Sequence, residues 1–265
     1  MAETIGAAAA EVLLTADPAE KSRLSRHYAG RWRAGELAAV YDAAMPDRPA
    51  RPPHPELLPP SRMPKRGRAG SERSRIALLH ALAHIEFNAI DLAWDAAGRF
   101  GGAMPRAFTD DWVAVADDEA RHFGLLADRL ADLGAAYGDL PAHDGLWEAA
   151  MATADDLLAR LAVVPQVLEA RGLDVTPATE SRLRAAGDTL SADILNTIYH
   201  DEIVHVSVGN RWFRHLCDEL RIEPAQTFQF LVSSRFKGAL KRPFNDSARI
   251  EAGLTPAFYD SLASA

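Results

Sequence analysis

The chain has 265 residues, a formal net charge of −8, and 48% hydrophobic and 25% charged residues, which is typical of a globular protein. The acidic balance argues against broad electrostatic attraction to nucleic acid or to an anionic membrane. A single cysteine, Cys217, excludes a disulfide framework and a CxxC electron-transfer site. The N-terminus lacks the basic start of a signal peptide, and no apolar stretch predicts a membrane span, so we expect a cytoplasmic protein with no membrane partner.

Residues 1–70 predict an N-terminal helical extension followed by a basic, proline-rich strap. Residues 4–45 should form two helices that are separated at Asp17 and Pro18, an N-cap residue followed by a proline that suits the first helical position. Residues 48–75 contain seven prolines, eight lysines or arginines and two acidic residues, and they should be extended. The strap is either a linker across the protein surface or a basic lip for an anionic substrate or partner.

Residues 71–220 predict an all-α, four-helix bundle, and residues 221–265 predict a C-terminal helical tail. Alanine is abundant and runs of β-branched residues are few, which favours helices. Glycines and prolines suggest the boundaries: helix A spans 71–97 and stops at Gly98, helix B runs from Pro105 to about Leu133, helix C spans 145–171 with a kink at Pro165 and a stop at Gly172, and helix D follows a break at Gly187 and ends at Leu220. A further helical stretch should begin at Pro177.

The most informative pattern is a Glu-x-x-His pair that occurs twice, each time directly after an aspartate, as DEARH (118–122) and DEIVH (201–205). A glutamate and a histidine three positions apart share one helix face, so both side chains can reach one point. Another glutamate lies 33 positions before the glutamate of each pair. Carboxylates and imidazoles repeated in this way predict a centre of two metal ions inside a helix bundle, with the ligands Glu86, Glu119, His122, Glu169, Glu202 and His205.

Burial is part of this prediction, and it leaves two alternatives open. The six residues fall on helix rows that should face the core, where an unpaired carboxylate is costly. Buried Glu–His hydrogen-bonded pairs without metal are the alternative, although six polar groups at one level would then shift their pKa values strongly. Glu169 is the least regular ligand, because Gly172 should end its helix. Either helix C ends close to the metals, or the chain continues past Gly172 with a local distortion.

Three further sets of residues near the predicted ligands need an interpretation. Tyr199, one turn before Glu202, is either a catalytic hydrogen-bond partner or redox relay, or a packed core tyrosine. Gly209 either leaves room for a substrate or allows the close approach of a helix. We interpret His80 and His84 as structural or as part of an outer network rather than as a third metal site.

The two DExxH units and their upstream glutamates resemble the ferritin-like di-iron carboxylate superfamily over about residues 86–205. The wider sequence resembles an uncharacterised bacterial family in that superfamily, known as domain of unknown function 455, which is similar to the tRNA hydroxylase that adds oxygen to an isopentenyl-adenosine. Three segments carry this second resemblance: HALAHIE (80–86), LEARGLDVTP (168–177) and PFN (243–245). It covers nearly the whole chain and names no substrate.

The resemblance implies a role for each predicted ligand. Glu86 and His122 would bind the first metal, Glu169 and His205 would bind the second, and Glu119 and Glu202 would bridge the two. Asp118 and Asp201 would accept a hydrogen bond from the ring of a ligand histidine, or else they are exposed acidic residues. The metals would be two iron ions, or an Fe/Mn or Mn pair, because imidazole and carboxylate suit both elements.

Two adjacent redox metals can share the reduction of dioxygen. This predicts an oxidase or hydroxylase that uses dioxygen, an external electron donor and an unidentified small-molecule or tRNA substrate. A tRNA substrate has only local support, from the basic residues at 62–75, which include Lys65, Arg66 and Arg68, and at 235–242. The alternatives are iron handling or peroxide removal without an organic substrate, and a metal-bound scaffold. A homodimer is compatible with each of these functions.

Overall fold

The computed structural model describes residues 2–64 and 70–264, and within them the protein is all-α with long helices packed against one another. The helices are α1 (Ile5–Leu13), α2 (Pro18–Arg33), α3 (Glu72–Phe100), α4 (Arg106–Asp132), α5 (Gly145–Met151), α6 (Leu157–Val163), α7 (Ala170–Ala185), α8 (Thr189–Leu220), α9 (Pro224–Arg235), α10 (Asp246–Glu251) and α11 (Pro256–Tyr259). A π-helical segment, Val164–Glu169, joins α6 to α7 and is called the π segment below. Two short strands, β1 (Leu240–Lys241) and β2 (Ala263–Ser264), pair in parallel.

The chain divides into two compact units, unit 1 (Met1–Trp147) and unit 2 (Glu148–Ala265). The predicted division into extension, bundle and tail stays a prediction. Within residues 48–64 the strap contains one 3-10 turn, Pro60–Arg62, and no α-helix or named strand, which is compatible with the predicted extended segment. The strap residues Lys65, Arg66 and Arg68 lie outside the described residues, so their predicted contact with an anionic partner stays a prediction.

The N-terminal helices of unit 1 begin as predicted, but the second ends early. The carboxylate of Asp17 accepts a hydrogen bond from the backbone N–H of Glu20 at 2.8 Å, and Pro18 occupies the first helical position. The second helix, α2, ends at Arg33 rather than near residue 45. Gly35 follows with a φ of +73°, a left-handed conformation that commonly terminates helices.

Helices α3 and α4 form the longest packed pair of unit 1. The side chain of Ser71 caps α3, as the predicted start of helix A requires. The predicted stop at Gly98 is wrong, because α3 continues to Phe100. A Cβ at Gly98 would lie 2.5 Å from the sulfur of Met45 and 2.8 Å from Cβ of Ala9, so this glycine serves close packing against α1. Pro105 precedes α4 as predicted.

A buried ion pair joins α2 to α3 inside unit 1. Nζ of Lys21 lies 2.5 Å from Oδ1 of Asp91, and both side chains are 0% exposed. Arg51 of the strap donates to the second oxygen of the same carboxylate. The ring of Phe87 lies 5.0 Å from the Lys21 ammonium group. Burial lowers the pKa of Lys21, and the adjacent Asp91 carboxylate opposes this effect. The charged form of Lys21 therefore depends on Asp91.

In unit 2 the helical run of residues 157–185 contradicts two predicted boundaries. Gly172 does not end this run, and Pro177 does not begin a new helix but lies inside α7. The predicted helix C is instead interrupted earlier, after α5, and the carboxylate of Asp156 caps the start of α6. The break at Gly187 is confirmed, and Asp188 caps α8.

One helical segment contradicts the prediction that no stretch could span a membrane. Residues Glu72–Ala103 are long and apolar enough to do so by length and composition alone. However, 67% of the most apolar part of this segment is buried inside the protein. The core helix of a protein without any membrane contact has the same length and composition, so this finding is weak evidence for a membrane span.

Candidate metal centre

Unit 1 brings a glutamate from α3 and a Glu-x-x-His pair from α4 to one buried place. Nδ1 of His122 lies 3.3 Å from Oε2 of Glu86 and 3.5 Å from Oε2 of Glu119. The exposed fractions are 5% for Glu86, 1% for Glu119 and 0% for His122. One ligand atom from each residue lies within 4.8 Å of the other two, so the three side chains could hold one metal ion.

The local sequence explains why these side chains face inward. Buried residues recur along α4 at intervals of three and four: Trp112, Val115, Glu119, His122, Leu126 and Leu130. Glu119 and His122 belong to this otherwise apolar stripe, so the packing of α3 against α4 takes them into the core. A carboxylate in such a place needs hydrogen-bonding, ionic or metal partners to offset its lost hydration.

Unit 2 repeats the Glu-x-x-His geometry on α8. Nδ1 of His205 lies 3.5 Å from Oε1 of Glu202, the same separation as that between His122 and Glu119. His205 is 1% exposed, and the side chain of Glu202 is 12% exposed. In both pairs the imidazole therefore turns the same ring nitrogen toward the carboxylate one turn earlier, as expected for two copies of one ligand motif.

Glu169 is the last residue of the π segment and leads directly into α7. A π-helical turn accommodates an extra residue in a helix and is frequent at functional sites. The distortion begins beside Pro165, which has no N–H for the carbonyl four positions earlier, and Nε2 of the buried Gln166 donates to that carbonyl at 3.1 Å. Of the two predicted alternatives, the helical run therefore continues past Gly172 with a local distortion.

Gly209 on α8 lies directly against Pro165 of the π segment. A Cβ at Gly209 would lie 2.4 Å from both Cβ and Cγ of Pro165, which is closer than real side chains approach. Of the two predicted roles of Gly209, the structure shows the close approach of helices. This contact sets the spacing between the segment that carries Glu169 and the helix that carries Glu202.

Gly209→Ala is expected to destabilise the protein by about 1–3 kcal/mol, because the added methyl group must push the π segment away from α8. Urea unfolding followed by circular dichroism measures this change. Gly172→Ala in α7 is the matched control, since no neighbour among the described residues would lie within 4 Å of its Cβ. The control should stabilise the helix by about 0.5–1 kcal/mol. Unchanged stability of Gly209→Ala would show that this contact imposes no constraint.

Four side chains qualify as candidate metal ligands: Glu86, Glu119 and His122 in unit 1, and Glu202 in unit 2. Carboxylate oxygen and imidazole nitrogen are donors that suit both iron and manganese. The chemistry of this donor set therefore fits the predicted metals without choosing between them. The assignment of Glu169 and His205 as further ligands stays a prediction.

The contacts of three other predicted site residues, Asp118, Asp201 and Tyr199, do not test their predicted roles, which stay predictions. The carboxylate of Asp118 is 41% exposed and lies 3.0 Å from the guanidinium of Arg121. Asp201 is half-buried. The hydroxyl of Tyr199, also half-buried, accepts a hydrogen bond from Nδ2 of Asn245 at 3.0 Å. As an acceptor in that bond, Tyr199 retains its own O–H as a donor.

His80 and His84 have partners that support their interpretation as structural residues. The backbone N–H of Gly138 donates to Nε2 of His80 at 2.9 Å. The ring of His84 is hydrogen-bonded to the hydroxyl of Tyr137 at 2.9 Å and to the carbonyl of His143 at 3.0 Å. Burial lowers the pKa of both rings, that of His84 to about 4, so both are neutral at pH 7.

A set of polar residues for which the sequence predicts no role joins the tail of unit 2 to α7 and α8. Arg249 donates two hydrogen bonds to the carboxylate of Asp174, and Asn245 donates its backbone N–H to the same carboxylate. Asp174 and Asn245 lie in two of the segments that carried the family resemblance. That signal was present in the sequence, but no spacing rule links positions so far apart.

Comparisons with known proteins identify one family and one uncharacterized relative. The sequence profile of the family described as "Protein of unknown function (DUF455)" matches residues 14–260. A protein of Haemophilus influenzae, described as an uncharacterized protein, is 41% identical over 260 residues, which cover 92% of this chain and 88% of that protein. No solved structure matches the chain.

Proposed function

This chain belongs to the DUF455 family of proteins of unknown function, and we propose that it is an oxidase or hydroxylase that uses a dinuclear metal centre to activate dioxygen. The predicted resemblance to this family is confirmed. The finer resemblance, to a ferritin-like four-helix bundle with two iron ions, is part of the proposal. The substrate is an unidentified organic molecule, and an external donor supplies the electrons.

The observation that carries this proposal is the matched geometry of the two Glu-x-x-His pairs. Each pair is almost wholly withdrawn from water, and in each the Nδ1–carboxylate distance is 3.5 Å. The 33-residue interval from an upstream glutamate is also the same for both. A duplicated set of donors supports two metal ions rather than one, and we propose that both sets serve a single centre.

The residues of the chain would perform three tasks at this centre. The glutamates would balance the charge of the metals, and the neutral imidazoles would bind through the nitrogen that faces the carboxylates. The apolar residues around them, such as Trp112 and Leu126, would exclude water from the ligands. When bound, two redox metals would supply electrons for the reduction of dioxygen. Tyr199, whose hydroxyl is oriented by Asn245, would donate or relay a hydrogen at this centre.

The proposal is tested by loading the metal-free protein with ferrous ion without oxygen and counting the bound iron. About two ferrous ions per chain are expected. Oxygen consumption is then followed with and without a chemical reductant, and consumption that continues as long as reductant is present supports the oxidase or hydroxylase. Consumption that stops after one stoichiometric oxidation would favour iron handling instead. Iron binding without any oxygen consumption would indicate that the centre is only a structural scaffold, and it would overturn the proposal.

A further inference from the structure

The side-chain amide of Asn245, in the tail, donates hydrogen bonds to α7, which directly follows Glu169, and to α8, which carries Glu202 and His205. Its Nδ2 lies 3.1 Å from the carbonyl oxygen of Leu173 on α7 and 3.0 Å from the hydroxyl oxygen of Tyr199 on α8. Leu173 lies about one helical turn after Glu169, and Tyr199 lies about one turn before Glu202. One amide group therefore connects the two helices next to both glutamates.

The bond to Leu173 fills a gap that Pro177 creates in α7. In a regular α-helix the N–H of residue 177 would donate to the carbonyl of residue 173, but proline has no N–H. Leu173 is 0% exposed, and a buried carbonyl without a donor costs about 1–3 kcal/mol. Asn245 supplies the missing donor, so α7 depends on the tail for its hydrogen bonding.

Buried charges fix the position of Asn245. Its backbone N–H lies 2.9 Å from Oδ1 of Asp174, and Arg249 donates to both oxygens of that carboxylate at 2.8 and 2.7 Å. The side chains of Asp174 and Arg249 are 0% and 2% exposed. The side-chain oxygen of Asn245 accepts the N–H of Ala248 and caps α10. Both donors and the acceptor of the amide are thus engaged, which allows it a single orientation.

We propose that Asn245 is a positioning residue for the second metal, because it clamps α7 to α8 and so fixes the separation between Glu169 and the Glu202–His205 pair. This inference rests on the proposed dinuclear centre. Metal ligands must be held within a fraction of an ångström by the groups that surround them. Loss of a hydrogen bond made directly to a metal ligand typically lowers metal affinity by about 10–100-fold, and Asn245 acts one contact further out, so a smaller loss is expected.

The test is an anaerobic titration of the metal-free protein with ferrous ion. Asn245→Ala removes the clamp. Asn245→Asp keeps the shape of the side chain and an oxygen that can cap α10, but it removes both Nδ2 donors. For each variant we expect affinity for one ferrous ion to fall by up to about 10-fold, with the other ion bound as in the wild type. Arg242→Ala is the matched control: it removes an exposed tail side chain that pairs with Asp260 and lies over the ring of Phe244, and it should bind both ions normally.

A second replacement separates positioning from general loss of stability. In the double variant Asn245→Ala, Pro177→Ala, the new N–H of residue 177 can donate to Leu173 within the helix. We expect this variant to recover the helix content of α7 and only part of the lost thermal stability, because α10 still lacks its cap. The weak ferrous site should persist, because α7 is still not joined to Tyr199. Full recovery of the metal affinity would show that Asn245 only repairs α7, and would overturn the inference.

Wild-type affinity for both ferrous ions in folded Asn245→Ala and Asn245→Asp would also overturn it. The proposed function fails separately, and takes this inference with it, if the wild-type protein itself binds no ferrous ion. Comparison of the wild type with the variants in the same titration therefore distinguishes the two failures.

Discussion

Glu119→Ala and His205→Ala are each expected to lower the metal content of the protein sharply while leaving a helical fold. Glu119 is 1% exposed beside His122, and His205 is 1% exposed beside Glu202, so each change removes a proposed ligand from the interior of its own unit. Loss of a direct ligand should exceed the 10–100-fold loss of affinity that is typical of outer partners. Elemental analysis after loading with ferrous ion, with circular dichroism as the check on folding, measures the effect.

Matched controls are available on the same two helices. Asp128→Ala removes an exposed carboxylate from α4, and His215→Ala removes an imidazole that is 37% exposed from α8. Both controls should retain the metal content of the wild type. Retention of about two ions per chain in Glu119→Ala and in His205→Ala would contradict the ligand assignment, because neither residue could then be needed for binding.

Asp91→Ala is expected to destabilise the protein by about 3–5 kcal/mol, because it leaves the ammonium group of Lys21 buried without its carboxylate. Both side chains are 0% exposed, and Arg51 loses the same partner. Burial already lowers the pKa of Lys21, and removal of Asp91 would lower it further. The free energy of unfolding, from urea titrations followed by circular dichroism, measures the effect.

The exposed ion pair between Arg23 and Glu20 is the control for this prediction. Its side chains are 60% and 45% exposed, so Glu20→Gln should change the free energy of unfolding very little. The double variant Lys21→Met, Asp91→Asn should recover part of the loss, because it removes the buried cation together with the carboxylate. An Asp91→Ala variant that is no less stable than Glu20→Gln would show that the buried pair contributes little to folding.

Capping residues and hydrophobic periodicity predicted the helices and the Glu-x-x-His pairs well, because both signals are local. Asp17 caps the helix that follows it, and the buried stripe of α4 contains Glu119 and His122 as its spacing requires. The glycine signals were less reliable. Gly98 was taken for a helix stop, but it lies inside α3, where it allows close contact with α1. A glycine that ends a helix and a glycine that permits packing look the same in one sequence.

The prolines of unit 2 show why the helix boundaries in that unit could not be predicted. Proline normally interrupts a helix because the carbonyl four positions earlier loses its donor. At Pro165 the side chain of Gln166 supplies this donor, and at Pro177 the side chain of Asn245 does so from the tail. The first compensation is local, but the second joins residues that are far apart in the chain. Contacts of this kind allow the helical run to continue through Pro165 and Pro177, on both sides of Glu169.

The proposed function requires both Glu-x-x-His pairs to bind one centre of two metal ions. X-ray diffraction from crystals loaded with ferrous ion, with anomalous data collected at the iron and manganese absorption edges, tests it most directly. The account predicts two neighbouring iron peaks, one bound by His122 and the other by His205, with the bridging glutamates Glu119 and Glu202 between them. An absence of metal peaks at these residues in crystals soaked with ferrous ion, or a single ion bound by only one pair, would contradict it.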